Sequence, residues 1–236
     1  MKRSEINRAI REGEAFIRQM GFFLPPFAHW TPEEWAGKGP EVAEIVGRNL
    51  GWDVTDFGLG MYEEKGVLLF TLRNGTLEEL GRGEGKVYCE KILVCKPGQR
   101  VLHHFHWRKT EDIINRGGGE LEVVLHQADA NGGFSTEEVR VNCDGIWRTV
   151  PAGGAVVLAP GESITLRPYQ YHQFRALGAP VLVGEVSTVN DDLTDNRFYD
   201  PVGRFPTVEE DEEPYRLLVG DYANYYRYAS GNPGGD

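Results

Sequence analysis

Cysteine is scarce in this chain: Cys89, Cys95 and Cys143 are the only three, and no two form a Cys-x-x-Cys pair. So small a set excludes a disulfide framework and a thiolate zinc site. Cys89 and Cys95 lie in an apolar, strand-like run, where a thiol serves as a small buried hydrophobe. A reducing, cytoplasmic setting is expected. Basic charge is also short, with 25 Lys and Arg against 36 Asp and Glu and a net charge of −11. The molecule as a whole repels phosphate backbones and acidic bilayers, so neither nucleic acid nor membrane is expected as a partner. Long hydrophobic runs are missing too: nothing approaches the ~18 apolar residues of a spanning helix. The opening Met-Lys-Arg-Ser-Glu-Ile-Asn has no apolar core of a secretory signal.

What is present divides into three stretches of one expected domain. Residues 1–52 read as a helical layer. Ser4 is placed to cap a segment whose apolar positions Ile6, Ala9, Ile10, Phe16 and Met20 recur at helical spacing. Thr31-Pro32-Glu33-Glu34 has the form of a second helix start, and Glu41–Leu50 of a third. Residues 53–200 change texture. Short β-rich runs such as 66–72, 86–95, 121–127, 154–158, 163–166 and 180–186 alternate with breakers, among them Gly81–Gly85 and Gly117-Gly118-Gly119. Strands at this spacing without amphipathic helices between them predict an antiparallel sandwich or small barrel. Residues 201–236 form a mixed tail in which the acids 209–213 read as a solvated loop and 231–236 as frayed.

Three of the six histidines fall within four residues, His103, His104 and His106. On a strand, positions i and i+2 share a face, so His104 and His106 can enter one interior while His103 points away. Glu111 follows after a span short enough to turn back to the same point, and His172 closes the later run Pro168-Tyr-Gln-Tyr-His. Three imidazoles and one carboxylate suit a divalent first-row metal.

Gly98-x5-His104-x-His106-x4-Glu111-x6-Gly118 resembles the first cupin motif, and Pro168 with His172 the second, although Tyr169 stands where a glycine is usual. That resemblance implies a mainly β, jelly-roll cupin barrel with His104, His106, Glu111 and His172 around one metal. A closer likeness lies in Leu-Pro-Pro-Phe-Ala (24–28), Leu-Gly-Trp-Asp-Val-Thr (50–55), His-Phe-His-Trp-Arg-Lys (104–109) and Val-Gly-Glu-Val-Ser-Thr-Val-Asn-Asp-Asp (183–192). These strings resemble the D-lyxose isomerases, manganese-dependent cupin sugar isomerases. The resemblance implies interconversion of D-lyxose with D-xylulose, a secondary D-mannose and D-fructose pair, and a homodimer.

The residues fit such chemistry. Four protein ligands on an octahedral ion leave two neighbouring positions for O1 and O2 of an open-chain sugar, whereas tetrahedral zinc would be closed. Mn²⁺ is therefore the expected ion, with Co²⁺ as a possible substitute. An acid and a base are also needed. Lys91 has the strand parity of Leu93 and Cys95, so it either snorkels outward or is functional inside the barrel; Glu185, with the parity of Val181 and Val183, is the inward carboxylate and the candidate base. Lys109, just before the Glu111 turn, is the third candidate, placed to reach a sugar hydroxyl. Trp107 is a candidate pocket wall, and Asp191, Asp192, Asp195 and Asn196 read as either a self-capping turn or a hydroxyl-recognition cluster. No P-loop context surrounds Gly81–Gly85, so an unphosphorylated sugar is expected. The alternatives on the same barrel are a metal-dependent dioxygenase or decarboxylase, and a non-catalytic sugar-binding cupin.

Overall fold

A computed structural model describes residues 1–228. The N-terminal layer begins with α1 (Arg3–Gln19), followed by the short helices α2 (Pro32–Ala36) and α3 (Ala43–Gly47). The predicted start of α2 is present: Thr31 Oγ1 accepts from Glu34 N, and Glu34 returns a carboxylate to Thr31 N. The start of α1 differs from expectation. Ser4 lies inside the helix, and its N–H and hydroxyl both donate to Asp211, at 2.9 and 2.7 Å. Arg3, buried, spans Glu210 and Asp221. The acids 209–213 are therefore not simply a solvated loop; they terminate and anchor α1, where carboxylates meet unpaired N–H groups and the positive end of the helix dipole. Residues 231–236, expected to fray, lie outside the described residues.

Eleven strands follow: β1 (Gly51–Thr55), β2 (Val67–Arg73), β3 (Tyr88–Cys95), β4 (Arg100–His106), β5 (Glu111–Gln127), β6 (Val139–Cys143), β7 (Ile146–Val150), β8 (Ala155–Leu158), β9 (Ser163–Leu166), β10 (Gln170–Thr188) and β11 (Asn196–Phe198). Strands hold 40% of the described residues against 21% in helices, so the expected mainly β class holds. All named pairings are antiparallel, in the order β1-β2-β3-β10-β5-β9-β6-β7, with β4 on β10, β11 on β4 and β8 on β5. A turn expected at Gly81–Gly85 is instead the end of a helix, α4 (Leu77–Arg82), with Gly83 as its left-handed cap at φ 66°. One more short helix, α5 (Tyr222–Tyr225), closes the described chain.

Alternation sorts the side chains. Leu68 and Phe70 of β2, Ile92 and Val94 of β3, and Leu182 of β10 face outward and pack with Ile6, Ile10 and Ile17 of α1. Contact is close enough that a Cβ on Gly13 would stand 2.1 Å from Leu68 Cδ2. The opposite faces, with Leu69, Leu93, Cys95, Val181 and Val183, enter the barrel core. Burial pushes the Cys89 and Cys95 thiols up to about 12, as fits inert packing groups.

The glycines 117–119 do not separate two strands as expected. They lie within β5, which pairs with β10 along nearly its whole length. Gly117 and Gly118 have φ of 140° and 104°, and a Cβ on Gly118 would fall 2.0 Å from Pro180 O. At this point the ladder shifts register and the β5–β10 ribbon bends. An unbent β10 would hold His172 and Glu185 roughly 40 Å apart. In the folded ribbon both line one cavity.

Candidate active site

Register on β10 assembles the polar groups. His172 stands directly opposite His104 of β4, Glu185 opposite Lys91 of β3, and Ser187 opposite Glu111 at the start of β5. The turn between β4 and β5 is held by Asp195, whose carboxylate accepts from the N–H groups of Arg108 and Lys109 at 2.9 and 3.0 Å. Lys109 and Glu111 are thereby swung back toward His106. The spacing that suggested a returning turn is explained by this carboxylate.

His104, His106, Glu111 and His172 each offer one ligand atom, and these four atoms lie within 4.8 Å of one another. His172 Nε2 is 2.9 Å and His106 Nε2 3.3 Å from Glu111 Oε1. The donor set fits a cation on grounds internal to the protein. His104 Nδ1 faces Leu102 O at 2.8 Å, and His172 Nδ1 faces Gln170 O at 3.0 Å. Each carbonyl requires a proton on Nδ1, so the neutral rings present Nε2 lone pairs, and these face each other at 3.1 Å. Two lone pairs at that distance repel unless a positive centre is shared between them. His106 has neither ring nitrogen satisfied, and Glu111 Oε1 lacks a well-directed partner. Burial, and then the neighbouring imidazoles, hold His104 well below its usual pKa, so it remains in the ligating form.

Beside this group lies a chain of alternating charge. Lys109 Nζ is 2.7 Å from Glu111 Oε2 and 2.8 Å from Glu185 Oε1, and Lys91 Nζ is 3.2 Å from the same Glu185 oxygen. Both ammonium groups also donate to Asn190 Oδ1, at 2.8 and 3.2 Å. Burial opposes charge on every member, yet Lys109 and then Lys91 hold the Glu185 carboxyl below its usual range. Against the same burial, Glu111 and Glu185 push Lys109 up. Glu111, Glu185 and Lys109 are thus each held toward the ionised form by the others. The inward parity read for Lys91 and Glu185 holds. Asn190 was not singled out from sequence. Its signal there was its place in the string 183–192 that carries the family resemblance, and its position comes from Asn74, which exchanges two hydrogen bonds with the Asn190 backbone.

All these groups except His106 and Asn190 line a cavity of about 60 Å³ whose other walls include Phe57, Leu69, Leu93, Phe174 and Phe198. A wider groove of about 640 Å³ adjoins it, and Leu69 and Asp192 line both. Trp107 does not line the cavity. It has the parity of Phe105 and stacks outside with Phe105 and Tyr169. The acidic cluster divides. Asp191 caps the N–H groups of Leu193 and Thr194, Asp195 holds the turn, and Asp192 with Asn196 reaches the cavity.

Comparison with known proteins decides the family. The family model described as D-lyxose isomerase matches residues 1–222. The chain belongs to the D-lyxose isomerase family. The D-lyxose/D-mannose isomerase of Serratia proteamaculans is 47% identical over 229 residues, covering 95% of this chain and 99% of its own. That of Escherichia coli O157:H7 is 43% identical over 228 residues, covering 95% and 100%. Among solved structures, the L-ribose isomerase of Cellulomonas parahominis bound to L-psicose superposes with a TM-score of 0.59 at 19% identity, over 89% of this chain and 98% of that one. At that identity the likeness speaks for a shared cupin-type fold alone. The aldose–ketose isomerase activity expected from the sequence follows from membership of the D-lyxose isomerase family.

Proposed function

We propose that the chain interconverts D-lyxose with D-xylulose and, secondarily, D-mannose with D-fructose, using one Mn²⁺ held by His104, His106, Glu111 and His172. The observation that carries this reading is the meeting of three imidazoles and a carboxylate with a buried Lys–Glu–Lys chain at one cavity. A divalent ion so held would supply Lewis-acid polarisation of the sugar carbonyl. Glu185, ionised, is the base that takes the proton from one carbon of the C1–C2 pair and returns it to the other. Lys91 and Lys109 keep Glu185 ionised and aligned, and the one N–H of Lys91 not taken by Glu185 or Asn190 stabilises negative charge arising on the sugar oxygens. The apolar wall opposite excludes water, which strengthens these contacts.

No helix of the described residues is long and apolar enough to cross a membrane. Three buried, unpaired thiols support a cytoplasmic setting. The packing of α1 on the barrel supports one folding unit with the bounds 1–52, 53–200 and 201–236, and a homodimer is the assembly that the sequence resemblance implies. Chelation followed by re-addition of Mn²⁺ or Co²⁺ tests the central claim, with D-lyxose, D-mannose and D-xylose as substrates. Ketose formation from the first two, lost on chelation and restored by metal, is expected. No turnover of any of the three sugars after metal restoration would overturn it. Sedimentation tests the dimer.

A further inference from the structure

Arg204 lines the cavity and touches two acids that line the wider groove. Its Nη2 contacts Asp53 Oδ2 at 2.9 Å and Asp192 Oδ2 at 3.2 Å. Asp53 lies on β1 and lines the groove, while Asp192 faces both spaces. Nη1 is buried and has no acceptor. A guanidinium has five donors in a fixed plane, and a buried charged donor without an acceptor is costly. Two carboxylates oppose that cost and lock the plane, yet neither accepts from Nη1. Asp192 belongs to the same electrostatic cluster as Lys91 and Lys109, which with Arg204 hold it well below the usual carboxylate range despite burial. Arg204 is therefore tied to the acid/base machinery through one carboxylate, and it is not a separate surface ion pair. The main chain fixes it too: Thr55 Oγ1 donates to Arg204 O at 2.6 Å.

We propose that Arg204, locked by Asp53 and Asp192, is the subsite for the sugar hydroxyl farthest from the carbonyl. The inference rests on the isomerase reading above and adds to it the residue that reads the length and far end of the substrate. A sugar with its C1–C2 end at the histidine group extends from a cavity that holds only a few waters toward the groove. The unsatisfied donor that Arg204 brings to this cavity is Nη1. Its acceptor is a neutral hydroxyl oxygen, because Asp192, held ionised beside it, already balances the guanidinium. A phosphate at the same place would meet both acids.

The test compares D-lyxose with 5-deoxy-D-lyxose in the Mn²⁺-loaded enzyme, for the natural sequence, for Arg204→Lys, and for the paired change Arg204→Gln with Asp53→Asn. The pair removes the cation together with the Asp53 carboxylate, and Asp192 keeps Lys91 and Lys109 as its cationic neighbours. In the natural enzyme, kcat/KM is expected to fall about ten- to a hundredfold on loss of the distal hydroxyl. In both variants most of that ratio disappears, because they lose activity on D-lyxose and little on the deoxy sugar. Titration with xylitol, an unreactive polyol, reads the same subsite without turnover, and its dissociation constant should rise by a similar factor with metal content unchanged. Equal use of both sugars by the natural enzyme would overturn the proposal without any variant. Undiminished discrimination in the variants, or unchanged xylitol affinity, would do so as well. Absence of D-lyxose turnover in the natural enzyme would instead defeat the isomerase reading, and the xylitol titration would still report on Arg204.

Discussion

Strand β4 carries histidines on both of its faces, and the two sets have little in common beyond residue type. Inside, His104 and His106 meet His172 and Glu111, with the Nδ1 atoms of His104 and His172 fixed by strand carbonyls. Outside, His103 packs against His126 and Phe134, and His126 stacks on Phe134 at 3.8 Å. Both outer rings also have a buried nitrogen without a partner, His103 Nε2 and His126 Nδ1. Burial, with His126 nearby, lowers His103 to about 4. Among the described residues, no third His, Cys, Asp or Glu donor completes a group with the outer pair. Burial and ring nitrogens without partners are therefore shared by both sets. A convergent carboxylate is what the inner set adds, together with backbone acceptors that dictate which nitrogen is free.

Replacing an inner ring should have the largest effect. His172→Ala is expected to abolish metal retention and reduce turnover on the order of 10⁴-fold, as measured by elemental analysis and a ketose assay. Normal metal occupancy would show that the inner set is no more a ligand group than the outer one. Next comes the base. Glu185→Gln should lower kcat on the order of 10³-fold while leaving metal content intact. It also has a signature in acid. Because the folded Glu185 carboxyl lies below its unfolded value, its stabilisation is present above the usual glutamate range and is lost as pH falls through the folded value. Denaturant midpoints of metal-free protein should therefore fall less steeply with acid in Glu185→Gln than in the natural chain.

The inner set was legible from the text because its signals are local. Alternation on β4 assigns His104 and His106 to one face, and the same parity rule assigns Lys91 and Glu185. What could not be read depends on partners distant in the chain. Nothing local distinguishes Asp195, which holds the Lys109 turn, from Asp191, which caps its own loop. Gly117–Gly119 carried the composition of a break, and only the opposing Pro180 turns it into a bend within a continuous ladder. Trp107 has the chemistry of a pocket wall but the wrong parity for one.

Smaller effects sharpen the contrast further. Asn190→Ala removes the oxygen shared by Lys91 and Lys109, and about a tenfold loss of kcat with unchanged metal content is expected. The outer set should respond least. His126→Phe keeps the stack on Phe134, so metal content and turnover should stay within about twofold, with a thermal midpoint shifted by the equivalent of ~1 kcal/mol or less. A loss of metal in that variant would erase the distinction between the two faces.

The anchoring of Ser4 by Asp211 has a temporal consequence. α1 leaves a ribosome before the barrel strands do, yet the carboxylate that completes it is 207 residues downstream. At ordinary elongation rates the helix waits roughly 10–40 s for that group. Meanwhile Ile6, Ile10 and Ile17 gain their strand partners one at a time, β2 and β3 long before β10. During synthesis the sticky face of α1 is only partly put away until β10 arrives, and that interval is when a nascent-chain chaperone has most to protect.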